Sequence, residues 1–212
     1  MTWSEATLLV AVLLLVLLGF VWVVANRLDR LHRKVAGSRA ALENQLVRRA
    51  SAAAELASSG LLDPVSSVLV GEAAWAALTA GGHGRAELVA ALPDLDRLLA
   101  GEPPDAGAPA VDRGQAESEL SRTIREALAD DDEVGALSAD PAGAEVVAPL
   151  AAAWYRVQLA RRFHNEAVAQ AQRVRRKLLV RALRLHGHAP MPRTVEIDDE
   201  WPPALERVAG AR

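Results

Sequence analysis

The chain has 212 residues, with 24 Lys and Arg against 27 Asp and Glu, and no cysteine. A net charge of −3 gives no general pull toward nucleic acid, and the missing thiol excludes disulfides, thiolate metal sites, a cysteine nucleophile and a lipid-bearing cysteine anchor. Ala and Leu dominate, aromatics make up only 4%, and β-branched runs are scarce outside the N-terminal segment, which is the composition of helices.

Residues 6–25 (ATLLVAVLLLVLLGFVWVVA) carry no charge. At about 1.5 Å per residue a helix of this length spans a hydrocarbon core of about 30 Å. Glu5 precedes the run, while Arg27, Arg30, Arg33, Lys34 and Arg39 follow it, opposed by Asp29. Lys and Arg concentrate on the cytoplasmic side, so residues 1–5 are expected outside the cell membrane and the C-terminal domain in the cytoplasm. Trp3 and Trp22 stand near the two ends of the run, where indoles favour the interface. The rival reading is a leader cleaved after Val23-Val24-Ala25. The missing basic n-region and the length of the run argue against it.

No proline interrupts residues 26–58, where Leu28, Leu31, Val35, Leu42, Leu46, Ala50 and Ala53 recur at helical spacing. The anchor is therefore expected to leave the bilayer as a continuous first helix, stopped by Ser58-Ser59-Gly60. Asp63-Pro64 starts a second helix running to about Ala80. Residues 81–84 (GGHG) break it, and weaker helical pieces follow at 85–92 and 93–99. Residues 101–114 are Pro/Gly-rich and read as a mobile connection. Residues 115–128 form the third helix, with Leu120, Ile124, Ala127 and Leu128 inward and the acidic run Asp130–Glu133 expected to end it. Asp140-Pro141 repeats the start signal for a last helix to about His186, with a kink or a true beginning at Pro149. A heptad fits it, with Leu150, Val157, His164, Ala171, Leu178 and Leu185 in one row and Ala153, Ala160, Ala167 and Val174 in the other. Residues 188–212 are Pro-rich and acidic and are expected to be extended. The expected fold is all-α: one transmembrane helix (6–25) continuing into an antiparallel bundle of four-helix type over 26–187.

Residues for chemistry are sparse. None of His32, His83, His164, His186 and His188 pairs with another ligand at metal spacing on one helix face. His186 and His188 read as helix-end groups and His164 as a core histidine. Arg125-Glu126 followed by the acids at 130–133, with Glu117 upstream, faintly resembles the metal helix of Nudix hydrolases. The positions for that motif's first glutamate and both its glycines are unmatched. No catalytic, cofactor or metal residue is assigned, and no cofactor is expected.

Charge placement says more. Residues 85–140 hold fourteen acids and five bases, while residues 145–187 hold nine bases and two acids. Arg173, Arg175, Arg176, Lys177, Arg181 and Arg184 crowd one end of the last helix. In an up-down bundle that end returns to the level where the first helix left the bilayer, so these six are expected to form a membrane-surface patch for anionic headgroups.

Ala160-Arg161-Arg162-Phe163-His164-Asn165-Glu166-Ala167-Val168 resembles the A-R-x-[FY]-Y-N-x-A-V signature of LemA-family membrane proteins, and Gln45-Leu46-Val47-Arg48-Arg49 resembles that family's Q-L-x-R-R stretch. His164 stands where the signature has tyrosine, Ala171-Gln172 where it has a second Tyr-Asn pair, and the Ile-Pro-Asn after Q-L-x-R-R is missing, as in a divergent branch. The resemblance implies a single-pass anchor, a cytoplasmic helical bundle and no established catalytic activity. Asn165, beside the apolar row, is read as a helix–helix tie with His164, and Arg48 and Arg49 as its candidate partners together with Glu166. The function expected is a non-enzymatic scaffold or partner-binding module at the inner leaflet, with the bilayer and an unidentified protein as partners. The alternative is a membrane-tethered Nudix-type hydrolase.

Overall fold

The computed structural model describes residues 3–80, 112–183, 185 and 189–210. The breaker at 81–84 with His83, the helical pieces at 85–92 and 93–99, most of the 101–114 connection, and Arg184, His186 and His188 lie outside them. The described residues form an all-α structure of seven helices: α1 (Trp3–Ser58), α2 (Pro64–Ala80), α3 (Arg113–Ala127), α4 (Asp131–Ala139), α5 (Pro141–Arg175), α6 (Leu178–Ala182) and α7 (Pro203–Gly210). One long apolar N-terminal helix is thus followed by a packed multi-helix bundle, in which α4, α6 and α7 are added to the four helices expected.

α1 contains the whole apolar run and is the one described helix long and apolar enough to cross a membrane; among the described residues no side chain of its most apolar 18-residue stretch is buried. α1 ends where expected. The Ser59 hydroxyl donates to the Leu56 carbonyl at 2.7 Å, and Gly60 turns left-handed at φ 74°.

Four helix starts share one device. Asp63, Asp112, Asp130 and Asp140 each stand immediately before α2, α3, α4 and α5, and each carboxylate accepts a first-turn amide: Val65 N at 2.9 Å, Gly114 N at 3.0 Å, Asp132 N at 2.9 Å and Gly143 N at 3.1 Å. The acidic run Asp130–Glu133 therefore begins a helix instead of ending one, because carboxylates favour the positive end of the helix dipole. α5 begins at Pro141 and runs through Pro149. It stops at Arg175, short of His186, because Lys177 takes an extended backbone (φ −62°, ψ 136°) that restarts the chain as α6. The tail also departs from expectation: residues 189–202 are irregular, but Pro203 opens α7, which buries Ala204 and Leu205.

The chain divides into two compact units. The first comprises Met1–Ala40 and Arg162–Thr194. In it Leu28 and Val180, both 1% exposed, cluster with Val174, Val24, Leu31 and Leu185. Lys34 Nζ donates to Gln170 Oε1 at 3.4 Å and Ser38 Oγ lies 3.0 Å from His164 Nδ1, a register in which α1 and α5 run antiparallel. The second unit comprises Ala41–Arg161 and Val195–Arg212. Its core joins Ala50, Ala53 and Leu56 of α1, Val70, Ala74 and Ala77 of α2, Leu120 and Ile124 of α3, Val147, Leu150 and Trp154 of α5, and Leu205 of α7. α2 packs on α3 and α4 on α7. The abundance of alanine in this core is what lets the helices approach closely.

Candidate functional site

In the second unit an open groove of about 780 Å³ runs between α1 and α5. Leu46 and Val157 share one buried cluster, and Leu56, Val147 and Leu150 another, so the two helix segments are antiparallel here. Ala52 and Ala152 help line the groove. The antiparallel register places Arg48 and Arg156 toward one end and Glu55 and Glu145 toward the other. All four side chains are exposed, and none forms an ion pair among the described residues. Arg48 and Glu55 are seven residues apart, about 10 Å along α1. The groove thus has a basic end, an acidic end and a small-residue lining.

Arg49 lies about 100° round the helix from Arg48 and turns the opposite way. It is fully buried. Its Nη1 donates to Ser121 Oγ at 3.0 Å, and its Nη2 donates to the Glu117 carbonyl at 3.1 Å and to Glu117 Oε2 at 2.8 Å. The guanidinium carbon sits 4.9 Å from the centre of the Trp154 ring, a cation–π contact. Arg113 Nη2 approaches the other Glu117 oxygen at 2.9 Å and Glu43 at 3.5 Å. Burial pushes the Glu117 carboxyl above its ordinary range, against the pull of Arg49 and then of Arg113. The Arg49 tie is therefore made to α3, where the sequence suggested Asn165 or Glu166 as partners, because Glu117 presents a buried anion directly opposite. Glu117 falls at helical spacing before Leu120, Ser121 and Ile124, so its place on the inward face of α3 was legible in the sequence.

Trp154 and the tail complete this centre. Trp154 Nε1 and Gln158 Nε2 both donate to the Asp199 carbonyl, at 3.0 and 2.7 Å. Arg161 grips the Asp199 carboxylate with Nε and Nη2 at 2.7 and 2.8 Å. Arg125 holds Asp198 with a 3.0 Å bond from Nη1 to Oδ1, and that guanidinium keeps the Asp198 carboxyl below the ordinary aspartate range.

In the first unit, His164 is 2% exposed. Ser38 donates its hydroxyl hydrogen to the Val35 carbonyl at 2.9 Å, leaving its oxygen to accept from His164 Nδ1–H. Asn165 is half-buried on the same helix. Of the expected basic patch, Arg173, Arg176, Lys177 and Arg181 are exposed and Arg184 lies outside the described residues. Arg175 does not join them. It is 5% exposed, and its two terminal nitrogens donate to the Pro190 and Ala189 carbonyls at 2.5 and 2.6 Å. Those carbonyls need donors where the chain folds back on itself, and Arg175 supplies them.

No three or more His, Asp or Glu among the described residues are grouped to hold a metal ion. Of the residues in the Nudix-like pattern, Glu117 is held by two arginines and Arg125 is engaged by Asp198. No known protein family, curated protein or solved structure matches the chain.

Proposed function

We propose that the chain is a single-pass membrane protein whose helical domain is a non-enzymatic scaffold, holding a partner helix in the groove between α1 and α5. The observation that carries this reading is the groove itself: four uncommitted charges, ordered basic to acidic, over an alanine lining. A helix with an acid and a base about two turns apart would satisfy both ends, and the order of charges would fix its direction. The unburied apolar stretch of α1 supports the anchor, and the basic residues after it support a cytoplasmic domain with the N-terminus outside. Five of the LemA-like motif residues support a structural role for those motifs: Arg49, His164, Ala167 and Val168 are buried, and Arg161 clamps the tail. We read the protein on this basis as a divergent relative of that family with an antiparallel bundle.

The cysteine-free sequence makes the test clean. In intact cells, an impermeant maleimide should label Ser4→Cys and should reach Ser58→Cys only after permeabilisation; the reverse pattern overturns the topology. Reversing the basic end of the groove, Arg48→Glu with Arg156→Glu, should remove specific neighbours from a proximity-labelling profile while leaving membrane extraction unchanged. An unaltered profile overturns the groove as the docking site.

A further inference from the structure

α6 exposes what a short helix in water ordinarily hides. Leu178 is 80% exposed, Leu179 52% and Leu183 46%. Between them Val180 is 1% exposed and is locked into the cluster with Leu28, Val24 and Leu31 of α1. Those α1 residues straddle Ala25, where the apolar run stops and the basic turn starting at Arg27 begins. α6 is therefore fixed beside the point where α1 changes from apolar to charged. Arg176, Lys177 and Arg181, all exposed, flank the leucines. The acid nearest them in α1, Asp29, is already paired with Arg33.

We infer that α6 is a second membrane contact: Leu178, Leu179 and Leu183 enter the acyl boundary of the bilayer, while Arg176, Lys177 and Arg181 meet acidic headgroups. The inference rests on the reading that residues 6–25 cross a bilayer. Two features commit the occupant to lipid. The exposed leucines flank Val180, which packs on Val24 at the end of the apolar run, and the neighbouring charges have the sign that an anionic leaflet attracts. Such a contact would restrain how α1 rotates and tilts as it leaves the membrane, since Val180 couples the two helices.

The test uses the full chain reconstituted in vesicles, with a nitroxide on single cysteines at Leu13, Leu179, Leu183 or, as a water-exposed reference, Glu166. Depth is read as broadening by oxygen against broadening by a nickel chelate. In an equal mixture of phosphatidylcholine and phosphatidylglycerol, the labels at 179 and 183 should favour oxygen severalfold over the reference, as the label at 13 does. In phosphatidylcholine alone, or with Arg176, Lys177 and Arg181 changed to Gln, they should shift toward water while the label at 13 stays in lipid. Aqueous labels at 179 and 183 beside a lipid-exposed label at 13 overturn the inference and leave the anchor standing. An aqueous label at 13 overturns the anchor as well. Labels at 179 and 183 shielded from both reagents would mean that protein covers the leucines, which also overturns it. Depth indifferent to phosphatidylglycerol overturns the headgroup half.

Discussion

Replacing Arg49 by Met keeps an unbranched apolar stem and removes the guanidinium from a site with no exposure. The change deletes three hydrogen bonds, at 3.0, 3.1 and 2.8 Å, together with the cation–π contact to Trp154. Glu117 is left as a buried carboxylate with Arg113 at 2.9 Å as its remaining counter-charge. Removing one partner of a buried ion pair costs about 3–5 kcal/mol. The surviving Arg113 contact points to the lower end, about 3 kcal/mol at neutral pH. For a chain of this size that lowers Tm by about 6–12 °C. Burial already raises the folded-state pKa of Glu117 above its unfolded value. Its contribution to stability is then complete below the unfolded value and is lost as pH rises through the folded one. Arg49 opposes that rise, so in Arg49→Met the folded value climbs further and the deficit grows with pH. The measurement is thermal unfolding of the full chain in detergent micelles, followed by circular dichroism over a pH series from acid to neutral. The double variant Arg49→Met with Glu117→Met should recover most of the loss, since an apolar pair of similar volume replaces buried ions at little net cost. A deficit below about 1 kcal/mol at pH 7, or one that shrinks as pH rises, would refute the assignment of this pair as the buried tie between α1 and α3.

Two glycines should respond oppositely to alanine. A Cβ on Gly143 would overlap the Leu137 carbonyl oxygen, so Gly143→Ala must part α4 from α5 at a cost of about 1–3 kcal/mol; on Gly71 it would meet only Ala57 Cβ at 3.7 Å, and Gly71→Ala should gain about 0.5–1 kcal/mol in α2, both read from Tm. The Asp198 carboxyl, depressed by Arg125, contributes stability above the ordinary aspartate range that is lost as pH falls through its lowered folded value. Protection of the amides at residues 198–201, taken relative to their intrinsic exchange rates, should therefore fall in acid, and Arg125→Gln should lower it at neutral pH; protection indifferent to both would refute the clamp.

Local signals carried much of the architecture. The Asp-Pro starts of α2 and α5, the Ser-Ser-Gly stop of α1 and the heptad rows of α5 are written in adjacent residues, and Leu150, Val157, His164 and Ala171 are all buried as their row implies. The heptad failed where the backbone left the helix: Leu178, next in that row, is 80% exposed because α5 ends at Arg175. At that ending Arg175 reaches carbonyls fourteen and fifteen residues ahead, a contact with no local signature. The groove was illegible for a similar reason. Arg48 and Glu55 look like ordinary solvated charges until the antiparallel register sets Arg156 beside the first and Glu145 toward the second. α4 was missed because an acidic run was read as a helix terminator, although carboxylates at a helix start are favourable.

The charge imbalance along the last third of the chain divides physically. By composition alone, the acidic stretch before α5 and the acidic tail could neutralise the nine bases of residues 145–187. The acids that do pair show a narrower pattern. Glu117 and Glu119 of α3 are taken by Arg49, Arg113 and Arg122, Asp199 of the tail is taken by Arg161, and Asp198 by Arg125. Arg175 is satisfied by backbone carbonyls. What is left exposed on and after α5 among the described residues of the first unit is Arg162, Arg173, Arg176, Lys177, Arg181 and Arg193, of which Arg176, Lys177 and Arg181 flank exposed leucines. An uncompensated basic cluster in water is held only by weak helix-dipole effects of about 0.3–1 kcal/mol per charge. Beside an anionic leaflet each base contributes about 1 kcal/mol in the same direction as burial of its apolar neighbours. Two of the tail's acids, Asp198 and Asp199, are held by Arg125 and Arg161 within the second unit, so on the inference drawn above neither competes with lipid for the exposed bases.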